Sequence, residues 1–69
     1  MRNILYLYID NARELVDYAV DPPAGAIGSN WQVAGEFESA DQAHQAGQDW
    51  LGSMLSDGFT RGHWTSPTF

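Results

Sequence analysis

Sixty-nine residues with no cysteine, nine acidic and three basic side chains and a formal charge of −6 exclude several classes of protein. So short a chain forms one domain with a marginal core. It has no disulfide staple and no thiolate nucleophile or metal ligand, which suits a reducing compartment. Arg2, Arg13 and Arg61 are scattered and lysine is absent, so direct binding to a phosphate backbone or an anionic membrane surface is not expected. The charge serves solubility or draws the chain to a basic partner.

The chain opens with MRNILYLYID. Its apolar run from Ile4 to Ile9 is short for a signal-peptide core and far too short to span a bilayer. The expectation is a soluble, cytoplasmic protein. Residues 3–9, rich in Ile and Tyr, read as a strand. Residues 11–20 fit two templates. As a helix, Asn11 caps with Glu14 as box partner, and Ala12, Leu15, Val16 and Ala19 form a stripe. As a strand over 14–20, Val16, Tyr18 and Val20 alternate with Leu15, Asp17 and Ala19. A hairpin turning at Asn11-Ala12 then sets Leu7 opposite Val16 and Leu5 opposite Tyr18. The hairpin is favoured because its register is self-consistent, and Pro22-Pro23 stop the segment. Residues 21–30, DPPAGAIGSN, are a loop.

The second half is clearer. Residues 31–38 alternate as a half-buried strand, with Trp31, Val33, Gly35 and Phe37 on one face. A helix follows over 40–57. Ser39 and Gln42 form a capping-box pattern, Asp41 complements the helix dipole, and Gly58 with Phe59 suits a Schellman ending against Met54. Ala43, Ala46, Gly47, Trp50 and Met54 share one stripe, while Asp41, Gln45, Gln48, Asp49, Gly52 and Ser56 lie opposite. Gly47 on the packing stripe implies close approach to a sheet, with Trp50 as the anchor. Leu51 and Leu55 lie at the stripe's edge and need cover. The tail, 59–69, offers Trp64 and Phe69 for it, through a short strand near Phe59 to Trp64 or else as a frayed end.

The expected fold is therefore a single α+β domain. A three-stranded antiparallel sheet in βββα order, with a possible fourth strand, is packed on one face by one amphipathic helix. Leu5, Leu7, Ile9, Val16, Tyr18, Val20, Trp31, Val33 and Phe37 face that helix. Ile4, Tyr6, Tyr8, Leu15, Asp17, Ala19, Gln32, Ala34, Glu36 and Glu38 line the second face, which nothing in the chain fully covers. Tyrosine among carboxylates suits a protein interface, and antiparallel sheets also show such mixed faces to water.

Catalytic chemistry is thinly provided. His44 and His63 are the histidines. No Gly-x-Ser-x-Gly stretch builds a nucleophile elbow, no ligand spacing makes a metal site, and PAGAIG lacks the Gly-Lys-Ser/Thr ending of a phosphate loop. Glu36 and Glu38 lie about 7 Å apart on one strand face, but paired carboxylates without a cleft are weak support for a hydrolase. No enzyme activity and no cofactor are expected.

The stretch WQVAGEFESADQAHQAGQDWL is similar to the first strand and helix of a SPOR domain, which implies peptidoglycan binding. The order of three strands and a helix ending SDGF resembles the small HicB-type antitoxin domain, which implies blocking a toxin ribonuclease through protein contacts. A looser likeness of kind is to small acidic phage inhibitors of host defence, anti-CRISPR proteins included. No functional residue is carried over from any of them. The reading from the residues is a non-enzymatic binding protein and candidate inhibitor. It docks on a basic surface of a larger, nucleic-acid-handling host complex through Tyr6, Tyr8, Asp17, Glu36 and Glu38, with Asp41 and Asp49 as the alternative acidic face. A peptidoglycan-binding module and a homodimeric structural protein are the alternatives.

Overall fold

The structure, a computed structural model, describes residues 2–64. The chain is α+β. Strands β1 (Ile4–Asp10) and β2 (Leu15–Val20) are followed by a 3-10 turn (Ala24–Ala26), strand β3 (Trp31–Glu36), helix α1 (Ala40–Ser56) and a short strand β4 (Thr60–Arg61). The strands lie in the order β3-β1-β2-β4. The expected antiparallel three-stranded sheet is present, and β4 adds to it parallel to β2, which makes the sheet mixed. No helix among the described residues is long and apolar enough to cross a membrane.

Residues 11–20 extend, as the hairpin reading expects, but the turn differs. It spans the four residues Asn11–Glu14 between Asp10 and Leu15, which pair. Asp10 builds it by accepting the Arg13 N–H on Oδ1 at 3.1 Å, a turn-forming use of aspartate. Glu14 completes it in the left-handed region, at φ 55°. The longer turn sets Leu5 opposite Val20, Leu7 opposite Tyr18 and Ile9 opposite Val16. This register is two residues away from the expected one. A shift of two keeps every side chain on its face, where a shift of one would invert them all. The open end of the hairpin is clamped by Asp21, whose carboxylate accepts the N–H groups of Ile4 at 2.8 Å and Asn3 at 3.1 Å.

A β-bulge corrects the reading of β3. Leu5 pairs with Gly35, yet Tyr6 pairs with Val33, so Ala34 is the extra residue. Strict alternation would put Trp31, Val33 and Gly35 on one side. The extra residue breaks that periodicity. Gly35 stays on the helix side beside Leu5, whereas Trp31 and Val33, opposite Tyr8 and Tyr6, lie on the second face. Val33 is 60% exposed there.

The helix is signed at both ends as expected. Ser39 Oγ accepts the Gln42 N–H at 3.2 Å. Gly58, at φ 103°, takes the left-handed position that glycine tolerates, and Phe59 N–H and Gly58 N–H donate to Met54 and Leu55 carbonyls. That pair of bonds is a Schellman ending. The buried line of the helix is Ala43, Gly47 and Leu51, with Ala46, Trp50 and Met54 half-buried beside it. Leu51 is thus central rather than marginal, and Leu55 remains exposed. The helix packs chiefly on β2, then on β1 and β4. On the helix side of the sheet, Leu5 and Val16 are the buried apolar residues.

Gly47 meets the Tyr18 ring face-on. A Cβ at that position would lie 2.7 Å from Tyr18 Cγ and 2.8 Å from Cε2. Gly52, on the outer face, has open space around it. The two glycines therefore respond oppositely to the same change. Gly52→Ala should stabilise the domain by about 0.5–1 kcal/mol through helix propensity alone. Gly47→Ala gains the same propensity but should be net destabilising, because overpacking costs about 1–3 kcal/mol. Urea unfolding followed by far-UV circular dichroism measures both.

Candidate functional site

The second face of the sheet divides in two. At its Tyr8 end the chain folds back over itself. After β4, Gly62 donates its N–H to the Val16 carbonyl at 2.8 Å and, at φ 149°, turns the backbone across the sheet. His63 then lies against Tyr8 and Trp31, with ring centroids 5.8 and 5.4 Å away, while Tyr8 and Trp31 are 5.2 Å apart. Its Nδ1 stands 2.8 Å from Asp17 Oδ2, and Arg61 Nε stands 3.5 Å from the other oxygen. The Trp64 N–H donates to the Tyr8 hydroxyl at 3.1 Å. Arg13 closes this end by placing its Cζ 4.1 Å from the centre of the Trp64 ring, a cation–π geometry.

These contacts correct two expected site residues. Tyr8 is 2% exposed, sealed under Trp31, His63 and the Trp64 backbone, so it is not a surface contact. The Asp17 side chain is 15% exposed and is occupied by Arg61 and His63. The tail folds onto the second face because Gly62 reverses it there. Phe69, offered as cover by the sequence, lies outside the described residues.

At the other end of this face, Tyr6 is half-buried between Ala19 and Val33, next to the paired Ile4 and Glu36. Glu36 is exposed and bonded by Arg2 at 3.0 Å, a pair worth little in solvent. Glu38 is exposed just ahead of the helix. Asp41 and Asp49 are exposed on the helix, which covers the opposite side of the sheet, and Asp49 accepts the Gln45 amide at 2.9 Å. The expected residues therefore do not form one surface: Tyr6 and Glu36 lie on the second face, Asp41 and Asp49 on the helix across the sheet, and Glu38 in the connection between β3 and the helix.

Electrostatics separates the two faces further. Each arginine is tied to a carboxylate: Arg2 to Glu36, Arg13 to Asp10 and Arg61 to Asp17. Glu14, Glu38, Asp41, Asp49 and Asp57 are exposed with no cationic partner among the described residues. Helix α1 contains no lysine or arginine. His44, on that helix, turns its Nδ1 to the Tyr18 hydroxyl at 3.3 Å. Among the described residues no group of three or more His, Asp or Glu side chains is placed to hold a metal ion.

The sequence reading missed a cleft of about 370 Å³ beside the folded-back tail. Tyr8, Trp31, His63 and Trp64 supply its aromatic surface, Arg13 its charge and residues 25–30 its far wall. The available signals were Asp10 with Arg13 at turn spacing and a glycine just before His63-Trp64. Neither says which sheet face the tail selects. Comparison with protein-family models, with curated proteins and with solved structures gives no match.

Asp10 is the buried hub of this end, 4% exposed. Its Oδ2 accepts Arg13 Nη1 at 2.9 Å and the Tyr8 hydroxyl at 3.4 Å. The bonded Arg13 guanidinium holds the carboxyl below its ordinary value of 3.8, against the opposing effect of burial. A carboxyl with a depressed folded value binds its proton more readily in the unfolded chain. Its contribution is therefore present above about pH 3.8 and is lost as pH falls through the lower folded value. Asp10→Asn should lower stability at pH 6 and flatten the loss of stability below pH ~4 relative to the parent chain. Thermal melts at a series of pH values check this, and parallel curves for the two proteins would refute it.

Proposed function

We propose that this chain is a non-enzymatic protein-binding domain that docks on a basic surface of a larger partner and inhibits it. The supporting observation is the state of its charges. The three arginines are neutralised by Glu36, Asp10 and Asp17, while Glu38, Asp41, Asp49 and Asp57 stand exposed along and beside a helix without cations. Such a one-signed surface raises encounter rates with a partner of opposite sign. A groove that normally holds nucleic acid is a basic surface of this kind, and occupying it blocks the groove. Phage anti-defence, anti-CRISPR-type and antitoxin-type proteins act by such protein contacts. The acidic helix face takes precedence over the sheet face because Tyr8 and Asp17 are engaged within the chain.

A partner recovered with the tagged chain supplies the test. Asp41→Lys combined with Asp49→Lys should lower the association rate by about tenfold or more, with a weaker salt dependence than the parent. The change should leave the circular dichroism spectrum unaltered, since both side chains are exposed. Glu36→Lys, on the opposite surface, should change the rate little. Association that survives the helix pair and fails with the Glu36 substitution would reverse the assignment of faces. Capture by purified peptidoglycan alone would replace it with a cell-wall role.

A further inference from the structure

We propose that the cleft beside the folded-back tail is a binding site for a small planar aromatic anion. The proposal does not depend on the acidic helix face, which lies on the other side of the sheet. Three features carry it. The cleft, about 370 Å³, falls within the range of small-molecule sites. Its aromatic surface comes from Trp31, His63 and Trp64 over Tyr8, and Trp64 keeps 45% of its surface exposed. Exposed ring faces held in place by a backbone bond and a cation stack suit a flat ligand, because the protein side loses little freedom on binding.

The sign of the ligand follows from the lining. The chain carries nine acidic residues, yet the cleft is lined by none of them among the described residues. It is lined instead by Arg13, His63 and the loop 25–30. Arg13 gives one Nη1 hydrogen bond to Asp10 and retains further N–H donors, with its side chain 47% exposed. The N–H groups of Gly28 and Ser29 and the indole N–H groups of Trp31 and Trp64 make no hydrogen bond among the described residues. These N–H groups belong to residues that line the cleft beside the aromatic floor, and a carboxylate on a flat ring satisfies them. Asp10 and Asp17 do not line the cleft but are bonded to Arg13 and His63, which do, so the attraction for the anion comes from the N–H donors that remain and not from net charge.

The test titrates the full chain with 2-naphthoate and, separately, with 2-naphthylmethylammonium, following nitrogen–proton NMR shifts. The expected result is saturable shifts at Gly28, Ser29 and the Trp31 and Trp64 indoles, with naphthoate dissociating at about 1 mM or below and the cation at least about tenfold weaker. Trp64→Ala should weaken naphthoate binding by about tenfold. Ala26→Glu, at an exposed loop position that leaves the folded tail untouched, should abolish the preference for the anion. Equal or tighter binding of the cation, shifts that spread beyond the cleft, or no saturation by either probe would each overturn the proposal.

Discussion

The contact on which the arrangement turns is that between Gly47 and the Tyr18 ring. A helix carrying a side chain there would have to ride higher on β2 or slide toward another strand. With none, the helix sits close against β2, and Ala43, Leu51, Val16 and Leu5 are all buried. Small residues at the point of closest approach are what a thin domain needs, and the Cα atoms span only 13 Å in their shortest direction. Placing the helix over β2 has two consequences. It sends Asp41 and Asp49 to solvent, and it delivers the chain to the free edge of β2, where Thr60 and Arg61 add a parallel strand.

From that edge the chain has a short route onto the far side of the sheet, and Gly62 takes it. The Tyr8 end is then organised around carboxylates used as internal acceptors. Asp10 holds a turn, an arginine and a tyrosine hydroxyl, and Asp17 holds Arg61 and His63. Because the few cations are spent in this way, the helix carboxylates Asp41 and Asp49 are left unbalanced, as is Glu14 in the hairpin turn. The asymmetry between an acidic helix face and an aromatic cleft without carboxylates is one result of the same pairing, and the two proposed activities belong to those two surfaces.

Much of the fold was legible because it rests on local chemistry. Ser39, Asp41 and Gly58 mark a helix whether or not a sheet lies beneath it, and the small residues at Ala43 and Gly47 announce a close neighbour without naming it. The side-chain face of the hairpin was also legible, since a two-residue error in register leaves Leu5, Leu7, Val16 and Tyr18 together. Trp31 and Val33 were placed on the wrong face because one unpaired residue, Ala34, breaks the alternation; the adjacent Gly35 is the local signal, since a glycine inside a strand often marks a bulge. The burial of Tyr8 was not legible at all. It depends on His63 and Trp64, remote in the chain and delivered by a turn at Gly62.

The sequence alone settled the helix and its caps and the excess of negative charge, and it favoured a hairpin over a helix for residues 11–20. These follow from spacing, capping and composition within a few residues. Only the tertiary structure decided that Tyr18 is the ring beneath Gly47, that β4 runs parallel to β2, and that the tail crosses the second face to make a cleft. Each of those outcomes joins segments separated by tens of positions. The physical reason is that periodicity reports which way a side chain points, while packing decides what it meets there.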